Sequence, residues 1–215
     1  MDDRNIKNVQ TSYDRVADEY VQRIFDELQH KPLDRELLER LAREVRPKGI
    51  ICDIGCGPGH VARYLHERGA TVTGLDLSPA MVERARQLNP AIEFIQGNML
   101  NLPLADGSLA GIAAFYSIIH IPRSDVAQAL AEFKRVLEPG AVLLLAFHIG
   151  NDTVHLDEWW DKQVNVDFHF FQPQAMAGYL AAADLRVEEI IERDPYPDVE
   201  HQSRRAYIFA KKGDA

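Results

Sequence analysis

Apolar residues in this chain recur at two spacings, and the switches between them mark out the elements. From Asp14 to Leu28 they fall at Val16, Tyr20, Ile24 and Leu28, one face of a helix. Pro32, suited to a first helical turn, opens a second stripe at Leu33, Leu37, Leu41 and Val45, with Pro47-Lys48-Gly49 as its stop. Ile50-Ile51 then leads into Cys52-Asp53-Ile54-Gly55-Cys56-Gly57-Pro58-Gly59-His60, and an amphipathic stretch from Val61 to Leu65 runs to a glycine stop at Arg68-Gly69. That is a strand, a glycine turn and a helix. Thr71 to Asp76 reads as the second strand. Ser78 then caps, and Pro79 opens, a helix with Met81 and Ala85 on its inner face.

Ile92 to Gln96 continues the alternation as a third strand. Leu109 to Ser117 is almost unbroken apolar sequence, as expected of a strand covered on both faces. Ser124 is the expected cap of a helix striped by Val126, Leu130, Phe133 and Leu137 and ended by Pro139-Gly140, and Ala141 to Phe147 is a fifth strand. Pro173 to Ala183 reads as the last helix, Leu185 to Arg193 and Arg205 to Lys211 as the final strands. The last of these puts Arg205, Tyr207 and Phe209 on one side and Ala206, Ile208 and Ala210 on the other. Strands alternating with helices imply an α/β chain around a doubly wound, mostly parallel sheet. Residues 1–46 read as N-terminal helices capping a site, and 47–215 as the core. An insertion at about 148–172 interrupts that core; it crowds together His148, His155, Trp159, Trp160, Phe168, His169, Phe170 and Phe171. It is either an acceptor pocket or lid, or a small packed unit against the sheet.

Composition narrows the function classes. A chain of 215 residues suits one domain, and 46% hydrophobic residues exclude wholesale disorder. The formal charge of −9 repels phosphate backbones, so no nucleic-acid partner is expected. No apolar run approaches the ~18 residues of a membrane span, and Met1-Asp2-Asp3-Arg4 lacks the apolar core of a signal peptide. The only cysteines, Cys52 and Cys56, fall in the strand and in the turn, and free thiols fit a reducing cytoplasm. His148, His155, His169 and His201 lack the H-x-x-x-H spacing of a zinc helix, so no metal is expected. A small-molecule ligand and a monomer or homodimer are the expected partners.

The glycine turn carries the chemistry. A dinucleotide fingerprint, G-x-G-x-x-G with an acid about 20 residues on, fits Gly55, Gly57 and Asp76. The third glycine does not fit: Gly59 comes one residue early and His60 takes its place. Asp53 adds a carboxylate at a mouth that would otherwise cradle pyrophosphate, which suits a ligand bearing an amino group. The pattern Asp53-x-Gly55-x-Gly57-x-Gly59 joined to Asp76 resembles motif I of the class I S-adenosylmethionine (SAM) dependent methyltransferases, in particular their small-molecule, UbiE-like branch. Tyr13-Asp14-Arg15-Val16-Ala17-Asp18-Glu19-Tyr20 is similar to the Y-x-x-x-A-x-x-Y helix that lids the SAM pocket there. Two positions depart from the family: Asn98 stands where an acid is usual, its amide oxygen still able to accept from adenine, and Ala110 replaces another acid. Ala114-Phe115-Tyr116-Ser117 also lacks the D/N-P-P-Y/F motif of base-methylating enzymes.

The resemblance implies a seven-stranded Rossmann-like sheet of order 3-2-1-4-5-7-6 with its last strand antiparallel. It implies SAM as cofactor, S-adenosylhomocysteine as product, and methyl transfer to an oxygen or nitrogen, less readily sulfur or carbon, of a small acceptor. Asp53, Gly55, Cys56 and Gly57 would hold the methionine end, Asp76 the ribose, and Leu77, Met81, Asn98 and Met99 the adenine. Phe115 and Tyr116 would lie near the sulfonium. His120 and His148 are two candidate bases, and Tyr20, Arg23, His169 and Arg204 candidate acceptor contacts. A nicotinamide-dependent reductase shares the fold, a macromolecular methyltransferase shares the cofactor, and a non-catalytic SAM-binding protein shares the pocket.

Overall fold

The computed structural model describes residues 1–45 and 49–213, so the expected stop at Pro47-Lys48 and the boundary between residues 46 and 47 lie outside the described residues. Seven strands form the main sheet: β1 (Ile50–Ile54), β2 (Thr71–Asp76), β3 (Glu93–Gln96), β4 (Leu109–Phe115), β5 (Leu137–His148), β8 (Leu185–Arg193) and β9 (Arg205–Lys212). Their order is β3-β2-β1-β4-β5-β9-β8. Only β9 runs against its neighbours, pairing antiparallel with both β5 and β8. This is the expected order. The two extra strands, β6 (Thr153–Trp159) and β7 (Lys162–His169), pair only with each other.

Helices cover both faces. On one side α5 (Val126–Val136) and α6 (Pro173–Ala182) seal Ile112, Leu143, Leu145 and Ile208. On the other, α2 (Pro32–Val45), α3 (His60–Glu67) and α4 (Pro79–Leu88) pack on Ile51, Ala113, Leu144, Tyr207 and Phe209. Every residue of β4 is buried, which explains its apolar run. Helix α2 therefore belongs to the sheet layer. Of the two N-terminal helices expected to cap the site, only α1 (Asp3–Ile24) lies over the carboxyl ends of the strands. A third, small core joins Val16 of α1 to Val164 and Val166 of β7. No helix among the described residues is long and apolar enough to cross a membrane.

Three local expectations need correction, and one segment takes a form that none of them specified. Helix α1 starts at Asp3, not Asp14, because Asp2 caps it by accepting from Asn5 N at 2.8 Å; Leu28 falls in a separate 3₁₀ turn, Glu27–His30. Ser124 does not cap α5: the cap is Asp125, and the Ser124 hydroxyl donates to its carboxylate at 3.2 Å. Leu137 is the first residue of β5, which pairs with Leu109 and then bulges through Pro139-Gly140 before Val142 meets Gly111. The insertion is a β-hairpin, and its alternation (Val164 and Val166 buried; Gln163, Asn165 and Asp167 exposed) had a period of two.

Candidate active site

The floor is built around the turn after β1. Gly55 has φ +75° and lies so close to Ser117 that an added Cβ would sit 2.2 Å from the serine Cβ. Gly57, at φ +53°, would meet only Tyr20, at 3.7 Å, and so leaves its face open. The turn is tied to β2: Gly55 N and Cys56 N donate to Leu75 O at 2.7 and 3.1 Å, and Gly57 N to Asp76 Oδ2 at 2.8 Å. Asp76 Oδ1 accepts from Ser78 N at 2.8 Å, so one carboxylate links the glycine turn to the start of α4. Asp53 is 1% exposed, and its Oδ2 accepts from Ala62 N in the first turn of α3 at 3.0 Å. Burial pushes Asp53 up to about 7 and Asp76 up to about 6; the N–H donors and, for Asp53, nearby His60 hold them down from higher values.

Above this floor is a cleft of about 900 Å³, its open mouth included. Gly55, Gly57, Asp76, Leu77, Asn98 and Met99 line its base, Phe115, Tyr116 and His120 its wall, and Ile6, Val9, Tyr13 and Tyr20 of α1 its roof. Size and lining fit a small-molecule site at the carboxyl edge of an open α/β sheet. Asp14 holds the roof down, accepting from Ser78 Oγ at 2.5 Å and Ala80 N at 3.2 Å, and Arg84 pairs with Asp18 at 2.5 Å. The hairpin braces the roof from outside. Ser12 Oγ accepts from Asn165 N at 2.9 Å, and the Trp159 ring meets Tyr13 and Tyr20 edge-on at 5.6 and 5.9 Å.

Three polar groupings face or back the cleft. At the glycine end Glu27 pairs with Lys31 at 2.7 Å and with His60 Nε2 at 3.3 Å, while His60 Nδ1 is buried with no hydrogen-bond partner. Burial opposes ionisation of Glu27, but the His60 and Lys31 bonds outweigh it and hold its carboxyl at about 2. Along the wall, His120 Nε2 is 2.7 Å from the Tyr13 hydroxyl. Burial brings His120 down to about 4 against the opposing pull of the Asp167 carbonyl, so its imidazole is neutral. Behind the wall, Tyr116, at a left-handed φ of +52°, meets the Tyr207 hydroxyl at 2.9 Å. Tyr207 donates to Asp34 at 2.8 Å, and Asp34 pairs with Arg193 at 3.0 Å.

Ten of the expected site residues meet at the cleft: Tyr20, Gly55, Gly57, Asp76, Leu77, Asn98, Met99, Phe115, Tyr116 and His120. Asn98 also has a local task, since its Oδ1 accepts from Leu100 N at 2.9 Å. The others are not brought to the lining. Asp53 sits beneath it, Met81 is fully buried, and Cys56 turns its buried thiol to Gly57 O at 3.6 Å. Both cysteines are free thiols. His148 stacks on Phe170 at 4.9 Å behind Tyr116, bonds Ser203 at 2.8 Å, and is pushed down to about 3 by burial and nearby Arg205. Arg23 is exposed, paired with Glu19 at 2.5 Å and resting on Trp160; Arg204 is exposed and paired with Glu192 at 3.0 Å. His169 bonds Thr153 at 2.9 Å and lines a separate outer notch.

Comparison with known proteins meets this geometry. The family model described as "Methyltransferase domain" matches residues 51–140, from β1 into β5. A malonyl-[acyl-carrier protein] O-methyltransferase of Serratia marcescens is 35% identical over 173 residues, covering 78% of this chain and 66% of that protein. The chain belongs to the class I SAM-dependent methyltransferases. A demethylmenaquinone methyltransferase of Chlorobaculum tepidum is 39% identical over 103 residues, 47% of this chain and 41% of its own. The match thus spans less than two thirds of these relatives' length. A SAM-dependent methyltransferase structure from Methanosarcina mazei superposes with TM-score 0.73 at 18% identity, covering 82% of this chain and 98% of the other, a likeness of fold.

The residues present fit the methyltransferase cofactor. The glycine end offers an open Gly57, a half-buried acceptor in Glu27 and the orphaned His60 Nδ1, and Asp76 has lone pairs beyond the two it uses. Sequence reasoning left out Glu27 and His60 as site residues. Tyr13 and Tyr20, seven apart, share one face of α1, whereas Glu27 lies past the end of that helix in the 3₁₀ turn, where no helical spacing points to it.

Proposed function

We propose that this chain transfers a methyl group from SAM to an oxygen or nitrogen of a small-molecule acceptor, leaving S-adenosylhomocysteine. The observation that carries the reading is the single cleft in which the glycine turn, Asp76 and the aromatic wall face one another under α1. Two carboxylates at the turn, the buried Asp53 and the half-buried Asp76, suit an amino-bearing, cationic ligand better than a pyrophosphate. Methyltransferase relatives with small or carrier-bound acceptors support the same class.

On this reading Asp76 accepts from the ribose hydroxyls, and Leu77, Asn98 and Met99 bracket the adenine. Gly55 and Gly57 leave room for the amino-acid end, with Glu27 and His60 beside it and Asp53 fixing the turn from beneath through α3. SAM supplies a methyl group activated by a sulfonium. The chain's part is alignment, which can be worth about 7–11 kcal/mol of barrier, in a cleft that α1 keeps from bulk water. Phe115 and Tyr116 flank the reacting centre, and His120, neutral and lining the cleft, is assigned the base in preference to His148.

Calorimetry tests the reading. Wild type binds SAM in preference to NAD(P)H, and Asp76→Ala weakens SAM by about 10–100-fold, the worth of charge-assisted hydrogen bonds. Unchanged affinity in the variant removes Asp76 from its role, and no SAM binding by wild type overturns the reading. Release of S-adenosylhomocysteine with small hydroxyl and amine acceptors separates an enzyme from a protein that only binds SAM.

A further inference from the structure

His120 stands between two spaces. On one side it lines the cleft, and on the other a smaller notch of about 280 Å³ whose polar lining includes Asn5, Asn8, Asn165, Asp167 and His169. Its two ring nitrogens divide in the same way. Nε2 meets the Tyr13 hydroxyl at 2.7 Å, and Nδ1 meets the Asp167 carbonyl oxygen at 3.0 Å. A carbonyl only accepts, so Nδ1 carries the hydrogen and Nε2 is the acceptor of the Tyr13 O–H. The pair is held by edge-on rings: Tyr13 against His120 at 5.1 Å, Phe168 against His120 at 4.9 Å and Trp159 against Tyr13 at 5.6 Å.

We propose that Tyr13 and His120 form a proton exit from the cleft to the outer notch, and that the methyl acceptor is therefore one that must lose a proton: an alcohol, a phenol or an amine. The inference rests on the methyltransferase reading above and names the acceptor class within it. An acceptor electron pair makes the new bond to the methyl carbon while the carbon–sulfur pair returns to sulfur. The acceptor proton passes to the Tyr13 oxygen as the Tyr13 proton passes to His120 Nε2, the imidazolium gives up its Nδ1 proton to solvent in the notch, and exchange through solvent then returns the remaining ring hydrogen from Nε2 to Nδ1 before the next turnover. One sulfonium charge is lost and one proton is released to solvent.

The groups around the pair suit passage rather than storage. Tyr20 and Asp76 lie towards Tyr13, Asp167 and His169 towards His120, and Arg123 beyond His169. Burial disfavours both the Tyr13 phenolate and the charged His120 ring, so neither ion persists in the pair. His169, half-buried and bonded to Thr153, is placed at the mouth of the exit instead of at the acceptor.

Nitrogen-15 NMR of histidine in the intact protein tests the arrangement without any acceptor. The expected result is a neutral His120 with hydrogen on Nδ1, and an Nε2 resonance that shifts in Tyr13→Phe. A His120 with its hydrogen on Nε2 overturns the proposal. Kinetics test the step. With an acceptor that supports S-adenosylhomocysteine release, Tyr13→Phe lowers kcat by about 100-fold, leaves KM nearly unchanged and abolishes the solvent deuterium isotope effect. SAM affinity and thermal stability, measured alongside, stay near wild type. An unchanged kcat and isotope effect, or an acceptor that is already a carboxylate or thiolate, overturns the exit while leaving the methyltransferase reading intact. Failure of wild type to bind SAM takes down both.

Discussion

The floor of the cleft and its roof are made in opposite ways. The floor is local: Asp53, the glycine turn and Asp76 lie within 53–76, and short backbone bonds tie one to the next. The roof joins α1 to a hairpin about 150 residues downstream, with Arg15 donating to Gln163 O at 3.0 Å and Ser12 accepting from Asn165 N. It has its own small core, separate from the two that flank the sheet. One chain thus keeps a floor, the cofactor platform of the reading proposed above, that is tied within a short stretch of sequence, and sets over it a roof that depends on distant residues.

That contrast can be broken at defined points. The largest effect is expected in the sheet body, behind the wall. Arg193→Ala leaves Asp34, fully buried and tied to Tyr207, without its cation. Removing one partner of a buried pair costs about 3–5 kcal/mol, so urea denaturation should show a loss of that size in a single global transition. In the roof, Trp159→Ala should cost less, about 1–2 kcal/mol for a half-buried ring. Hydrogen exchange should speed up in α1 and in β6–β7 together while β1, β2 and β4 keep their protection; exchange rising in the sheet as well would mean that roof and floor are one cooperative unit.

The smallest expected effect concerns the floor and pH. Asp53 is raised in the folded state, so its contribution to stability is fully present below its unfolded pKa, near 4, and is lost as pH rises through about 7. Asp53→Asn keeps an acceptor for Ala62 N and has no charge to bury. Without SAM, it should gain on the order of 1 kcal/mol over wild type between pH 5 and pH 8 in urea denaturation. No difference between the two pH values removes desolvation of Asp53 as the cause.

What could be read from the sequence divides along the same line. The glycine turn, Asp76 and the Ser78 cap follow from neighbours in the chain, and the Ser78 hydroxyl does accept from Met81 N at 3.1 Å; the strand order came with the family resemblance. The hairpin was hidden because its two-residue turn is Trp160-Asp161, both left-handed at φ +52° and +59°, where Asn-Gly is the usual signal. The wall network was hidden by distance: Arg193 lies 159 residues from Asp34, and Tyr207 lies 173 residues from it. His148 looked like a base from its place at the end of β5, but only packing shows Phe170 stacked on it, the Tyr116 ring against it at 5.4 Å and the residue itself off the cleft lining.

Asp14 is one side chain with two duties. It caps α4 from outside, and it fastens α1 across the ligand space. Lifting α1 off α4 gives up both bonds at once, so the roof is held to the floor at a helix end and not only by packing.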